Sequence, residues 1–581
     1  MTRRIVCCAL ALVSAASSEA IQIDSPMVPA EWAYAQRALL KESTEAALEF
    51  ARKYTDVRGH FRGVERWGGN DGPDDVMETF HNWPLAYALG ADERILRVYE
   101  TIWEGHLDQF QKAKAPSAEM AKSGMFSREF ITAFDWEHTG EGLAGFYHYA
   151  LCRPGDKVFR QRSLRYAGLY NGDDPKAPNY DKTLKIIRSL HNGSLGPKVT
   201  PATVFDWGGE AEPGPDRHTR YKTAANIKGD HPLNLLATTL GMNAYMLGGG
   251  RKYADWVLEY AGAWRDRILQ NGGNVPTNIG LNGAIGGEWD GKWYGGTFGW
   301  NFDPQSSSRN YYMRGVRVAM GNAFLLTHDA AFLEPLQRQL ENLYAVKKVE
   351  NGRTLLPNKH GDQGWYGYGP NEHFDVQRDL YLWTMDKKYL ERVGRDPWIS
   401  YLMGKNAGYP EETLRQDLSR LRQRVKAFRE DSVTPDSRAL DHAQRFTPVT
   451  MTSLVQLMNG ANEPGSSGSL VHARLRYFDP VRRRPGVPED VAALVDNIED
   501  AHVSVTLVNL SQTQDREVLV QTGMYGEHMA TEVQSGDKKW TVNGPWFTVR
   551  LAHGAGAKVR IGMRRYANAP ALDFPWERSI N

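Results

Sequence analysis

Cysteine is nearly absent from this 581-residue chain, and two of its three cysteines, Cys7 and Cys8, lie within the first twenty residues. Only Cys152 remains beyond them. An intramolecular disulfide is therefore excluded once that segment is removed, and stability has to come from a large core. An excess of one charge is missing too. Lys and Arg number 70 against 69 Asp and Glu, for a formal net charge of +1, which argues against the basic stripe of a nucleic-acid-binding protein. After the first twenty residues no apolar run approaches ~18 residues, so no membrane-spanning helix is expected. The 56 glycines follow no triplet period, which excludes a collagen. A GxGxxG turn after a strand, a Walker loop, a G-x-S-x-G elbow and an H-E-x-x-H helix are all missing. The chemistry is therefore expected to run without cofactor or metal.

Ordinary globular composition is present: 41% hydrophobic and 24% charged residues, in a chain long enough for two or more units. Arg3 and Arg4 followed by the apolar run Ile5–Ala16, with Ser18-Glu19-Ala20 behind it, read as an export signal cleaved near Ala20. A secreted or periplasmic protein is the expectation. Trp (17) and Tyr (26) together outnumber Phe (20) more than two to one, and rings with a polar handle suit half-wet clefts that stack flat ligands.

One pattern recurs through the middle of the chain: an apolar helix end, a tight polar or Gly joint, then an amphipathic helix. It occurs at Tyr87–Asp92, Tyr149–Asp156, Tyr245–Gly250, Phe324–Asp329 and Leu380–Asp386. Gly and Asp at these joints fit a helix C-cap followed by an N-cap. Each unit reads as an αα-hairpin that must bury its stripe against neighbours. Ala30–Tyr54 and Glu411–Glu430 read as further helices, the second with Leu414, Leu418, Leu421, Val425 and Phe428 on one face. The five connections entering these hairpins, Trp67–Trp83, Phe134–Gly142, Phe205–His231, Gly272–Asn310 and Asn358–Phe374, are long, aromatic and acidic. Connections of that length usually carry function, and in a ring of hairpins they emerge on one rim.

The last third changes period. Val471, Ala473, Leu475 and Tyr477 alternate with polar residues, as do Val503, Val505 and Leu507, Val518 and Val520, Phe547, Val549 and Leu551, and Val559 and Ile561. This is strand alternation, read as an antiparallel β-sandwich. The expected organisation is a signal peptide over 1–20, a helical catalytic domain over 21–446 and a sandwich over 447–581. Arg482, Arg483 and Arg484, in a Pro-bounded loop, are expected to be solvated.

Hairpins followed by a sandwich, over about residues 30–565, resemble secreted carbohydrate-active enzymes built as an (α/α) toroid of six or seven helical hairpins plus a C-terminal β-sandwich. That group includes glycoside hydrolases and several alginate, heparin and glucuronan lyase families. The resemblance implies an α+β multidomain fold and a polysaccharide or oligosaccharide substrate. It lies in the architecture and transfers no catalytic role.

Candidate site residues come from the loops. Asn82 follows an acidic cluster, Asp71–Glu78, suited to sugar hydroxyls or to a cation. Trp136 stands beside Glu137, His138 and Glu141. Asp206 and Trp207 open the loop that ends at His231, which precedes Pro232 at an expected helix start and is biased to stay neutral there. Glu288, Trp289, Trp293, Tyr294 and Trp300 form a Gly-rich aromatic stretch that offers flat faces to a ligand. Arg309, Asn310, Tyr312 and Arg314 follow at a helix start, and Tyr366 comes from the fifth loop.

Two mechanisms fit these residues. β-Elimination on a uronate needs carboxylate neutralisation, a base and an acid. Arg309, Asn310, His231 and Tyr312 supply that set, with His138 as a second imidazole, and this is the favoured expectation. Hydrolysis needs two carboxyls, drawn from Glu137, Asp206, Glu210 and Glu288. A glycan-binding protein without chemistry is the third alternative.

Overall fold

The computed structural model describes residues 20–63, 73–111, 137–175, 177, 179–188, 229–287, 290–294 and 307–578. The helices in chain order are α1 (Glu31–Tyr54), α2 (Pro73–Glu78), α3 (Asn82–Leu89), α4 (Glu93–Gln111), α5 (Glu137–Ala150) and α6 (Lys157–Gly168). They continue as α7 (Thr238–Ala244), α8 (Arg251–Gln270), α9 (Arg309–Thr327), α10 (Glu334–Ala345) and α11 (Phe374–Thr384). Last come α12 (Leu390–Val393), α13 (Pro397–Leu402), α14 (Tyr409–Glu430) and α15 (Thr452–Leu454).

All five tight joints are present. Gly90 ends α3 at φ +123°, a conformation that a Cβ would strain. The Asp156 carboxylate accepts from the backbone N–H of Val158 and Phe159 at the start of α6. Asp329 and Asp386 cap the turns that follow α9 and α11 in the same way. α5, α7, α9, α11 and α15 each stand much further from the preceding α-helix than these joints span, whereas α3 follows α2 after three residues. α1 and α14, distant in sequence, lie side by side, joined by Arg422–Glu42 (2.7 Å) and Arg429–Glu49 (2.6 Å). The two ends of the helical region therefore meet. Among the described residues no helix is long and apolar enough to cross a membrane.

Short strands β2 (Tyr180–Asp181) and β3 (Ile186–Ile187) pair with each other. β4 (Ser307–Ser308), which runs into α9, forms a small sheet with β5 (Lys348–Glu350), β6 (Arg353–Gly361) and β7 (Gly364–Gly369), which lie between α10 and α11 in the chain. The C-terminal region holds two five-stranded sheets. One runs β1 (Ile21–Ile23), β15 (Trp546–Leu551), β12 (Arg516–Thr522), β8 (Leu475–Asp479) and β9 (Arg484–Pro485). The other runs β10 (Val491–Ile498), β11 (His502–Asn509), β16 (Gly556–Arg564), β13 (Met529–Ser535) and β14 (Lys538–Gly544). Val503, Val505, Leu507, Val518 and Val520 are fully buried, as their alternation requires. The N-terminal β1 runs parallel to β15, pairing Ile21 with Val549.

These sheets pack on the tight-joint ends of the helices, and arginines make the contact. Arg484 donates to the carbonyls of Tyr87 (3.2 Å) and Ala91 (2.7 Å), Arg476 to Leu151 O (2.7 Å) and Arg474 to Leu382 O (2.7 Å). Arg565 donates to Trp383 O. Carbonyls at helix C-termini lack intrahelical partners and carry partial negative charge, so a guanidinium meets both needs. Gln36 of α1 exchanges two hydrogen bonds with the backbone of Ala493 in β10 (2.9 and 3.0 Å). One apolar cluster spans helices and sheets.

Three local expectations change. Pro232 starts a 3-10 turn, Pro232–Ala237, and α-helix begins only at Thr238. Strand pairing starts at Leu475 rather than at Val471. Arg484 is a docking residue stacked 4.2 Å from the Tyr87 ring, whereas Arg482 is exposed and paired with Glu489, as a solvated loop arginine would be.

Candidate functional site

The segment Gly460–Leu470 (GANEPGSSGSL) lies between α15 and β8 and turns back among the helices. Glu463 accepts from Asn82 Nδ2 at the start of α3 (3.1 Å) and from the Thr452 hydroxyl at the start of α15. Asn462 donates to the Asp379 carboxylate and to Asp375 O (3.4 Å) in the first turns of α11. A Cβ on Gly140, at the start of α5, would lie 3.1 Å from Ser467 O, and one on Gly468 (φ +81°) would lie 2.8 Å from the Tyr147 ring. Glycine is what allows this loop its depth. It reaches the N-terminal turns of α3, α5, α11 and α15.

Charged groups gather around it. Arg314 of α9 pairs with Glu141 of α5 at 3.4 Å. Arg317, one turn further along α9, pairs with Asp375 (3.0 Å) and with Asp379. Burial alone would raise the Asp375 pKa, but the charge of Arg317, with His373 behind it, holds the carboxyl below its usual range. Beneath the loop lies a cavity of about 20 Å³, lined by Arg317, Asn322, Asp379, Asn462, Ser469 and His472. It is large enough for one water, and polar atoms face it from several sides. Burial pushes the His472 imidazole down to about 3, so it is neutral.

His231 is only 2% exposed and sits in extended backbone ahead of the 3-10 turn. Its neighbour Asp230 is fully buried and is a structural node. That carboxylate accepts from Tyr260 Oη (2.9 Å), Trp264 Nε1 (3.0 Å), Asn234 Nδ2 (2.8 Å) and the backbone N–H of Ile187 (3.1 Å) and His231 (2.9 Å). Burial raises its pKa to about 6 despite these donors.

Trp293 and Tyr294 pack on the β6–β7 hairpin. Trp293 lies 4.6 Å from His360 and 6.0 Å from Trp365, and Tyr294 lies 4.6 Å from His360. At the hairpin tip Asp362 binds the Tyr294 hydroxyl (2.7 Å) and Lys292 (2.8 Å). Tyr366 is 40% exposed on the opposite face.

Of the residues expected from sequence, Asn82 and Arg314 come together near the loop, His231 stands in the buried wall, and Trp293, Tyr294 and Tyr366 belong to the hairpin. Glu137 and His138 open α5, and Arg309, Asn310 and Tyr312 open α9, with their side chains outside the described residues. Trp136, Asp206, Trp207, Glu210, Glu288, Trp289 and Trp300 also lie outside the described residues, as do residues 1–19 of the expected export signal. Sequence reading missed Arg317, Asp375, Asp379, Asn462 and Glu463 as site residues. Asp375 and Asp379, one turn apart at a helix start after a long loop, were the available signal. Among the described residues no cluster of His, Cys, Asp and Glu could hold a metal ion.

The family model described as "Domain of unknown function (DUF8034)" matches residues 20–221, 213–364 and 386–455. No curated protein matches the sequence. Among solved structures, the cellobiose 2-epimerase of Bacillus thermoamylovorans B4167 aligns at 10% identity and TM-score 0.38, over 70% of this chain and 97% of that one. A sugar epimerase from a ruminal bacterium aligns at 12% and 0.38, over 71% and 97%. A GH127 β-L-arabinofuranosidase from Geobacillus stearothermophilus T6 aligns at 12% and 0.32, over 90% and 76%. At these TM-scores the likeness fixes neither a shared fold nor a shared activity.

Proposed function

The chain belongs to that family of unknown function, and we propose that it is a carbohydrate-active enzyme that hydrolyses a glycosidic bond. In this reading α3, α5, α7, α9, α11 and α15 are the inner ring of an (α/α) toroid, the two C-terminal sheets form a β-sandwich, and Gly460–Leu470 floors the toroid's mouth.

The observation that carries the reading is the presence of two carboxylates, Glu141 and Glu463, at one loop. Glu141 faces the Arg314 guanidinium, and Glu463 accepts from Asn82 and Thr452 with the Arg424 charge also acting on it. Hydrolysis of a glycosidic bond needs one carboxyl as acid and a second as base or nucleophile, and these two stand at the same loop. Glu141 serves as base or nucleophile and Glu463 as the acid that protonates the leaving oxygen. Asn82 orients Glu463. Trp136, Asp206, Trp207, Glu288, Trp289 and Trp300, with Trp293 and Tyr294, are the residues assigned in this reading to binding the sugar chain.

Hydrolysis is preferred over β-elimination because Arg314 and Arg317 are already matched to protein carboxylates, which weakens them as neutralisers of a substrate uronate. Elimination would use His231, Tyr312, Arg309, Asn310 and His138 instead. The deciding assay incubates purified protein with neutral and uronate-containing polysaccharides while reducing ends and ultraviolet absorbance are followed together. New reducing ends without absorbance, lost in Glu141→Gln and Glu463→Gln, are expected. Rising absorbance, which reports a C=C conjugated to a carboxylate, would overturn the reading in favour of elimination.

A further inference from the structure

The β6–β7 hairpin has two faces of different character. Cross-strand pairs share a face, so His360 and Trp365 stand together, and Trp293 and Tyr294 cover them. The pairs Lys359↔Tyr366 and Pro357↔Tyr368 stand on the other side. Lys348, opposite Leu355 on β5, joins that side and holds its ammonium 4.1 Å from the Tyr368 ring. Among the described residues neither Lys348 nor Lys359 forms an ion pair with a carboxylate. Of the nearby acids, Glu350 lies opposite Arg353, Asp362 is bound by Lys292, and Glu372 pairs with Arg395. The face thus combines two tyrosine rings with two uncompensated ammonium groups.

Its place in the fold gives it a use. β6 pairs with β4, which runs directly into α9, and β7 leads into α11. The hairpin therefore stands beside the helix starts that carry Arg314, Arg317 and Asp375.

We propose that this outer face of the hairpin is a subsite for the anionic stretch of a glycan chain, with a sugar ring on Tyr366 and uronate or sulfate groups against Lys348 and Lys359. The proposal rests on the glycosidase reading and narrows its substrate class to acidic polysaccharides. Tyrosine faces stack on the apolar side of a sugar ring, and solvent-exposed lysines add attraction that salt screens.

Binding is measured without turnover, by affinity electrophoresis and calorimetry, on the full chain. The probes are polygalacturonate, alginate and heparan sulfate, with dextran as the neutral polymer. At least one polyanion should bind more tightly than dextran, and its affinity should fall with salt. The double substitution Lys348→Gln/Lys359→Gln should weaken that binding about three- to tenfold, in line with two exposed charge pairs, and flatten its salt dependence. Tyr366→Ala should weaken it with the salt dependence kept. Equal binding of polyanions and dextran, or a polyanion affinity that ignores the lysine substitutions, would overturn the proposal. Hydrolysis of a neutral glycan with no role for the lysines would sink this inference and leave the glycosidase reading standing. Lysine-dependent polyanion binding without any cleavage would do the reverse.

Discussion

Asn82 and Glu463, 381 positions apart, meet at 3.1 Å, which ties the first turn of α3 to a loop that leads into the C-terminal sheets. The contact brings a carboxylate into the helical region from outside it. The Thr452 hydroxyl holds the same carboxylate from its other side.

Glu463→Gln and Glu141→Gln should each lower glycan hydrolysis about 10²–10⁴-fold, the usual worth of a positioned acid or base. Folding stability should stay within about 1 kcal/mol, because glutamine keeps an acceptor for Asn82 or Arg314. Turnover and thermal melts on the same preparations check this. A loss of folding in step with activity would remove the case for a catalytic role.

Gly468→Ala forces a side chain into left-handed backbone and against Tyr147, 2.8 Å away. A cost of about 1–3 kcal/mol is expected. Because the loop carries Asn462 and Glu463, activity should fall further than stability alone explains. Chemical denaturation and initial rates measured below the melting range separate the two.

Arg476 is fully buried and donates to Leu151 O and to Met524 O (3.1 Å), bridging α5 to the sheets. Arg476→Ala leaves these carbonyls unmatched and opens a cavity, so about 3–5 kcal/mol of stability should go. A calorimetric scan that still shows one transition at the unaltered temperature would contradict this.

Burial raises the Glu527 carboxyl to about 7, with Arg578 and Arg474 opposing the shift, and Asp230 lies near 6 for the same reason. Folded pKa values above the unfolded ones mean that the native state holds more protons between about pH 4 and 7. Stability should therefore fall as pH rises through that window, with Glu527 contributing about 3 kcal/mol at most. Glu527→Gln should flatten the slope between pH 5 and 7 in denaturant titrations. A slope equal to that of the unsubstituted protein would refute the assignment.

The parts of the fold legible in the sequence were those written locally. The five joints carry their own Gly or Asp caps, the face of α14 is spelled by Leu414, Leu418 and Leu421, and the strands of the C-terminal sheets alternate. The site was legible only where a long loop ran into a helix start, as at Asn82 and Arg314. GANEPGSSGSL reads locally as a connector, and nothing in it announces that Asn462 meets Asp379 or that Glu463 meets Asn82. Arg484 misled for a similar reason. Its neighbour Arg482 behaves as a loop arginine should, and the helix end that Arg484 docks on is nearly 400 residues away, 397 in the case of Tyr87.

The Gly460–Leu470 loop also bears on how this molecule can be cut and recombined. It lies between α15 and β8, so Glu463, the proposed acid, and β8 of the docked sheets travel on one covalent tether. Exchanging the C-terminal sheets for those of another protein at a crossover before this loop would remove Glu463, while a crossover after Leu470 would keep it. The useful seam for chimeras is therefore a few residues wide, just ahead of Leu475.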